Sequence, residues 1–136
     1  AGNSFAGQGN TSEAEIGRVI DGDTVLAKIE TWPEHYVVTR LRIKPAGGLS
    51  LDTPEIRGKC PQERKLAQAA KAFVEQALAD QPRKNTAIVK QVELDKYGGR
   101  YDAEIWIGGA DLGQRLIAQG HARSYDPKTK RLPWCG

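Results

Sequence analysis

Val19-Ile20-Asp21-Gly22-Asp23-Thr24-Val25 reads as the tip of a β-hairpin. Residues 15–20 and 24–29 on its two sides are strand-like, and Asp21-Gly22 is a favoured type I′ pair because both central residues take φ > 0. A third strand follows over about residues 35–44, with Val37, Thr39, Leu41 and Ile43 on one face and Val38, Arg40, Arg42 and Lys44 on the other. Pro45-Ala46-Gly47-Gly48 breaks it. Residues 61–79 predict a helix with Pro61 in its first turn and one buried stripe of Leu66, Ala70, Phe73, Ala77 and Leu78. Residues 87–94 and 100–107 are strands joined across 95–99. A short helix over 111–119 has Asp111 as its cap, Gln114 as reciprocal partner and Gly120 at its stop. An extended piece over 122–125 leads into a basic tail. Three strands, a helix, two strands and a helix make an α+β chain whose sheet closes most naturally as a small antiparallel barrel.

The chain has 136 residues, 39% hydrophobic and 27% charged, which fits one globular domain. Residues 1–12, rich in Gly, Asn, Ser and Gln, read as a disordered N-terminal segment, and residues 13–136 as a single domain. The longest run of apolar residues plus Gly, 105–110, falls far short of the ~20 that a membrane helix needs. The net charge of +3 is unevenly placed. Residues 1–35 carry two bases against six acids, and residues 36–136 carry eighteen against eleven. A polyanion is drawn to the second part, and a metal to acids of the first. Cys60 and Cys135 form no zinc-like cluster. They are either one disulfide or two buried thiols. A disulfide would tie down the tail, constrain the unfolded chain by about 4 kcal/mol, and imply an oxidising compartment.

Three short stretches carry candidate chemistry. Asp21 and Asp23 are turn residues or a pair of oxygen ligands, without the further positions of an EF-hand. In Leu51-Asp52-Thr53-Pro54-Glu55, Pro54 stiffens a corner bearing two carboxylates and the Thr53 carbonyl, hard donors suited to Ca²⁺ or Mg²⁺. The bland alternative is a turn with capping acids. Asp95-Lys96-Tyr97-Gly98-Gly99-Arg100 is a polar hairpin loop, or a cation, an aromatic and an arginine that hold a phosphate and stack a base. Trp32, Trp106 and Trp134 read as core or rim aromatics, and His121 as a packed or surface histidine.

Taken together and in order, VIDGDTV (19–25), RLR (40–42), LDTPE (51–55), the following helix, DKYGGR (95–100) and LIAQGHA (116–122) resemble the staphylococcal nuclease (thermonuclease) family over about residues 15–125. The resemblance implies an OB-type five-stranded antiparallel β-barrel with about three α-helices. It also implies a Ca²⁺-dependent endonuclease, a hydrolase that cleaves DNA and RNA and leaves 3′-phosphate products. By motif, Asp23 and Asp52 would be carboxylate ligands of Ca²⁺ and Thr53 would add its backbone carbonyl. Asp21 would lie in the metal's outer sphere. Glu55 would position or deprotonate the attacking water. Arg100 and Arg40 would bind the phosphate, and Lys96, Tyr97 and Tyr125 would line the nucleotide pocket. A divalent ion and two arginines suit phosphodiester chemistry because they neutralise charge that grows in the transition state.

The sequence departs from the family at one place. The family's strand arginine lies five residues before the metal-binding Asp, where this chain has Gly47. An insertion of about seven residues within 43–50 accounts for this. It leaves Arg40 and Arg42 on one strand face, of which Arg40 is preferred. If the insertion displaces Asp52, the chain becomes a non-catalytic OB-fold nucleic-acid-binding module. Binding alone has no use for Asp23, Asp52 and Glu55 together, because these acids repel phosphate unless a cation sits among them. The expectation is therefore a secreted or periplasmic enzyme with nucleic-acid substrates, no membrane association and no obligate protein partner.

Overall fold

The computed structural model describes residues 11–47, 49–94 and 100–135. The chain runs β1 (Thr11–Asp21), β2 (Thr24–Trp32), β3 (His35–Ile43), β4 (Ser50–Asp52), α1 (Pro61–Ala79), β5 (Thr86–Leu94), β6 (Arg100–Ile107), β7 (Ala110–Asp111), α2 (Leu112–Ala118) and β8 (Arg123–Tyr125). Strand order in the main sheet is β3-β2-β1-β5-β6, with β7 beyond β6, and β3 also pairs with β6. That last pairing is parallel and closes a five-stranded barrel, with Arg40 opposite Arg100 and Arg42 opposite Asp102. The OB-type α+β barrel expected from the sequence is therefore present, with two corrections. Its closure is mixed rather than wholly antiparallel, and the described residues hold two α-helices rather than three. Closing β3 on β6 removes both sheet edges at once.

The alternation read in the third strand is kept: Leu41 and Ile43 are fully buried with Val25, Ile29, Val89 and Ile105. Each such aliphatic side chain contributes about 1.5–3 kcal/mol on leaving water. α1 caps one end of this core with a different stripe from the one expected. Ala67, Ala70, Val74, Ala77 and Leu78 are buried, whereas Leu66 is exposed and Phe73 only partly covered. Small residues face the barrel because the hairpin tip approaches closely there.

Two further expectations change. β1 starts at Thr11 and pairs Thr11 with Lys90 and Ser12 with Val89, so residues 11 and 12 belong to the barrel. Residues 1–10 of the expected disordered segment lie outside the described residues. The hairpin turn is centred on Gly22-Asp23, since Asp21 pairs with Thr24, and neither central residue has positive φ, so it is not type I′. None of the three tryptophans enters the core: Trp32 is exposed, Trp106 lies under Lys90 and Trp134 under Arg123. His121 packs on Phe73, ring centres 5.1 Å apart.

Asp111 caps α2 by accepting the Gln114 N–H at 2.8 Å. The same carboxylate accepts the Ala46 N–H at 3.2 Å, and the Gln114 side chain donates to the Ala46 carbonyl at 2.8 Å instead of reaching back to the cap. The segment after β3 is thus fastened to the start of α2, with buried Pro45 against Gly113. A Cβ at Gly113 would come within 2.7 Å of the Pro45 Cα.

Candidate active site

The hairpin tip and the corner after β4 meet because residue 22 has no side chain. A Cβ on Gly22 would lie 2.8 Å from the Ala70 Cβ and 3.6 Å from the Thr53 Cβ. Asp21 reaches across the contact, its Oδ1 accepting the Ile56 N–H at 3.1 Å. Burial raises the Asp21 carboxyl above its ordinary value; the Ile56 N–H opposes this, and the charges of Asp23 and Glu55 add to it. Asp23 accepts the Thr24 hydroxyl at 2.9 Å, and its other oxygen lies 3.9 Å from the Arg42 Nε.

Asp52 ends β4 opposite Arg123 of β8. Asp52, Thr53 and Pro54 are buried and Glu55 is exposed. Behind the corner sits a residue that motif reading missed. Glu63, 7% exposed, accepts the Glu55 N–H at 3.0 Å and the Lys59 N–H at 3.3 Å. It is the third helical residue after the cap Cys60, whose Sγ accepts the Glu63 N–H at 3.3 Å. An acid at that position is the signal of a capping box, and here it reaches beyond the cap to hold the backbone of Glu55. Arg64 closes the loop by donating to the Gly58 carbonyl at 2.9 Å.

A second missed residue occupies the corner itself. The Arg131 guanidinium donates from Nε to Asp52 Oδ1 at 2.5 Å, from Nη1 to Glu55 Oε1 at 3.3 Å and from Nη2 to the Thr53 carbonyl at 3.0 Å. These are the oxygens that motif reading assigns to a divalent cation and to Glu55's role beside it, and the guanidinium stands in for positive charge there. Partial burial pulls the Arg131 pKa down, but the Asp52 hydrogen bond and the charges of Asp52 and Glu55 outweigh it and hold the group above its ordinary value. The available signal was its place on a tail anchored by Cys135, which is bonded to Cys60. Carboxylate and carbonyl oxygens around a positive group are the hard donor set that Ca²⁺ takes, so these residues fit that ion. Glu63 and the two cysteine sulfurs also cluster. Those sulfurs are bonded to each other and offer no thiolate.

Of the two strand arginines, Arg42 is the one beside Asp23. Thr24 pairs with Arg42, and the Ile43 N–H donates to the Asp23 carbonyl at 2.7 Å, which locks this end of β3 to the hairpin tip. Arg42 also donates to the Leu51 carbonyl at 3.4 Å and so bridges the two acid-bearing segments. Arg40 lies one pleat further along the face and is exposed. Arg100 opens β6, its Cα laterally opposite that of Arg40. Tyr125 lies on β8 opposite Ser50, its hydroxyl donating to the Thr129 carbonyl at 3.3 Å. Lys96 and Tyr97 lie outside the described residues.

No curated protein matches the chain. A family model described as staphylococcal nuclease homologue matches residues 49–133, which takes in the 52–55 corner, α1, β5, β6 and Arg131 and begins after Asp23 and Arg42. This is a fold of the nuclease or nucleic-acid-binding type. The match covers more than half of the chain, and the closed five-stranded barrel carries the hairpin acids and the matched corner to one place, so the chain belongs to the staphylococcal nuclease homologues.

Proposed function

We propose that the chain is a Ca²⁺-dependent endonuclease that hydrolyses phosphodiester bonds of DNA and RNA and leaves 3′-phosphate ends. The observation that carries this reading is the convergence of the Asp52 carboxylate, the Thr53 carbonyl and the Glu55 carboxylate on one positive group, beside Asp23 and Arg42. Asp23, Asp52 and the Thr53 carbonyl would hold the ion, with Asp21 in its outer sphere. When bound, Ca²⁺ would supply positive charge against the phosphate. Glu55, exposed and held by its backbone on Glu63, accepts a proton from the attacking water. Arg42 and Arg100 bind the phosphate oxygens, where a planar fork that keeps its proton is the right donor. The new P–O bond forms as the bond to the 5′ oxygen breaks, and that oxygen takes a proton from solvent water and leaves as a 5′-hydroxyl. By motif, Lys96, Tyr97 and Tyr125 would line the nucleotide pocket.

The insertion supports catalysis rather than the binding-module alternative. It is fastened to α2 through Ala46, Asp111 and Gln114, and Arg42 still spans from Asp23 to the carbonyl next to Asp52. The Cys60–Cys135 disulfide is compatible with a periplasmic or extracellular protein, and no helix among the described residues is long and apolar enough to cross a membrane. The disulfide supports a periplasmic or secreted location. Cleavage of single-stranded DNA and RNA in Ca²⁺, in Mg²⁺ and in chelator tests the function, with Glu55→Gln as the control for contaminating nuclease. The expected result is Ca²⁺-dependent cleavage to 3′-phosphate ends, lost in the variant. A folded protein that binds DNA equally with and without Ca²⁺ and cleaves in no condition would establish the binding module instead.

A further inference from the structure

Arg131 has no part in the reaction as proposed, yet it is held in place from both sides. Before it, residues 126–129 form a turn: the Thr129 N–H and hydroxyl both donate to the Asp126 carbonyl, at 2.9 and 2.8 Å, and the Lys128 N–H donates to Asp126 Oδ1 at 2.9 Å. After it, Arg123 donates to the carbonyls of Leu132 and Pro133 at 3.5 and 3.1 Å and lies 3.6 Å over the Trp134 ring. Cys135 then joins Cys60 at the start of α1. β8, where the strap begins, is paired to β4, the strand that ends in Asp52. The strap is therefore closed at both ends over the corner, and its position 131 lies above Asp52, Thr53 and Glu55.

The guanidinium and a divalent cation need the same oxygens. Asp52 Oδ1 and the Thr53 carbonyl are engaged by Arg131 N–H groups at hydrogen-bond distance. Ca²⁺ must come within about 2.3–2.6 Å of such oxygens. Two positive groups cannot share that space. We propose that Arg131 is a built-in competitor for the cation site: guanidinium and divalent ion occupy the corner by turns, and the strap sets the ion concentration at which the site fills. This rests on the reading above that the corner takes a divalent cation. A group on a short tether acts at an effective concentration of about millimolar or more. Apparent ion affinity falls to the fraction of time that the guanidinium is off the corner, so a guanidinium docked about nine-tenths of the time weakens it about tenfold.

Calorimetric titration of Ca²⁺ into metal-free protein tests this without reference to activity, alongside melting temperatures in chelator and in Ca²⁺. Arg131→Ala is expected to bind Ca²⁺ about tenfold more tightly than the parent. In chelator it melts lower, because buried Asp52 has lost its partner, and Ca²⁺ raises its melting temperature by more than it raises the parent's. Arg123→Ala keeps Arg131 and every proposed ligand but loosens the clamp, and should tighten Ca²⁺ binding by a smaller factor. If Arg131→Ala binds Ca²⁺ no more tightly than the parent, the competitor role is overturned and the cation site stands. If neither protein takes up Ca²⁺, the cation site itself is overturned.

Discussion

Gly58→Ala adds one methyl where Glu63 already sits. The new Cβ would lie 2.5 Å from the Glu63 Cγ and Cδ and 2.8 Å from its Oε1. Gly58 is not at positive φ, so the backbone itself accepts alanine, and lost chain entropy alone would make the change stabilising by about 0.4–1 kcal/mol. The overlap reverses the sign, because the Glu63 carboxylate must withdraw from the Glu55 and Lys59 N–H groups. Hydrogen bonds to a charged group are worth about 1.5–3 kcal/mol each. Two partly exposed ones at the low end make about 3 kcal/mol, or about 2–3 after the entropy gain. Glu63→Ala forfeits the same two bonds and costs about 3 kcal/mol. The double variant has room for the methyl and keeps its entropy gain, so it should cost about 2–3 kcal/mol rather than the additive 5–6, a coupling of about 3 kcal/mol. Urea unfolding of the four proteins reads this directly, and each single variant should melt about 10 °C lower. Additivity within about 0.5 kcal/mol would refute the placement of Glu63 against Gly58. On the proposed reading all three variants also lose nuclease rate through Glu55, while Ca²⁺ affinity, assigned there to Asp23, Asp52 and Thr53, changes little.

Arg42→Ala should lower kcat/KM for DNA cleavage by about 10²–10³, the scale of one lost transition-state donor. Arg40→Ala should lower it less than tenfold; the reverse ranking in the same assay would return the phosphate role to position 40. Reducing Cys60–Cys135 should cost up to about 4 kcal/mol of stability, seen as a lower melting temperature in reductant, and intact mass without reductant should show no free thiol. Asp111 has its pKa raised by burial, against the opposing N–H groups of Gln114 and Ala46. A raised carboxyl favours folding in its protonated form, so that contribution is full below the ordinary value and is lost as pH rises through the raised one. Asp111→Asn keeps an acceptor for the cap but cannot titrate. The parent should therefore gain stability relative to Asp111→Asn as pH falls from about 6 to about 3, and a pH-independent difference in melting temperature would count against the burial account.

A tethered cation at the acidic corner also has a plain structural use. Asp52 is 5% exposed, and a buried carboxylate without a partner is costly. Arg131 covers that cost, so the contact proposed to compete with an ion also keeps the corner formed.

Several elements that depend on near neighbours were legible in the sequence, though the hairpin turn was not. The span of α1 follows from Pro61 and the apolar spacing behind it, the core face of β3 from strict alternation, and the cap of α2 from Asp111. The acid-bearing corner was legible too, because Pro54 restricts Thr53 locally and the motif lies in one stretch. The rest depends on distant partners that the fold brings together. Whether Arg40 or Arg42 meets Asp23 depends on hairpin register, which the insertion after β3 hides from counting. The buried stripe of α1 runs through Ala67 and Val74 rather than Leu66 and Phe73, a choice between two apolar faces that the barrel makes. Glu63 acquires its role from a loop that folds back onto it, and Arg131 from a disulfide that returns the tail across 75 positions. Local chemistry leaves a trace at fixed spacing; a cation delivered from the far end of the chain does not.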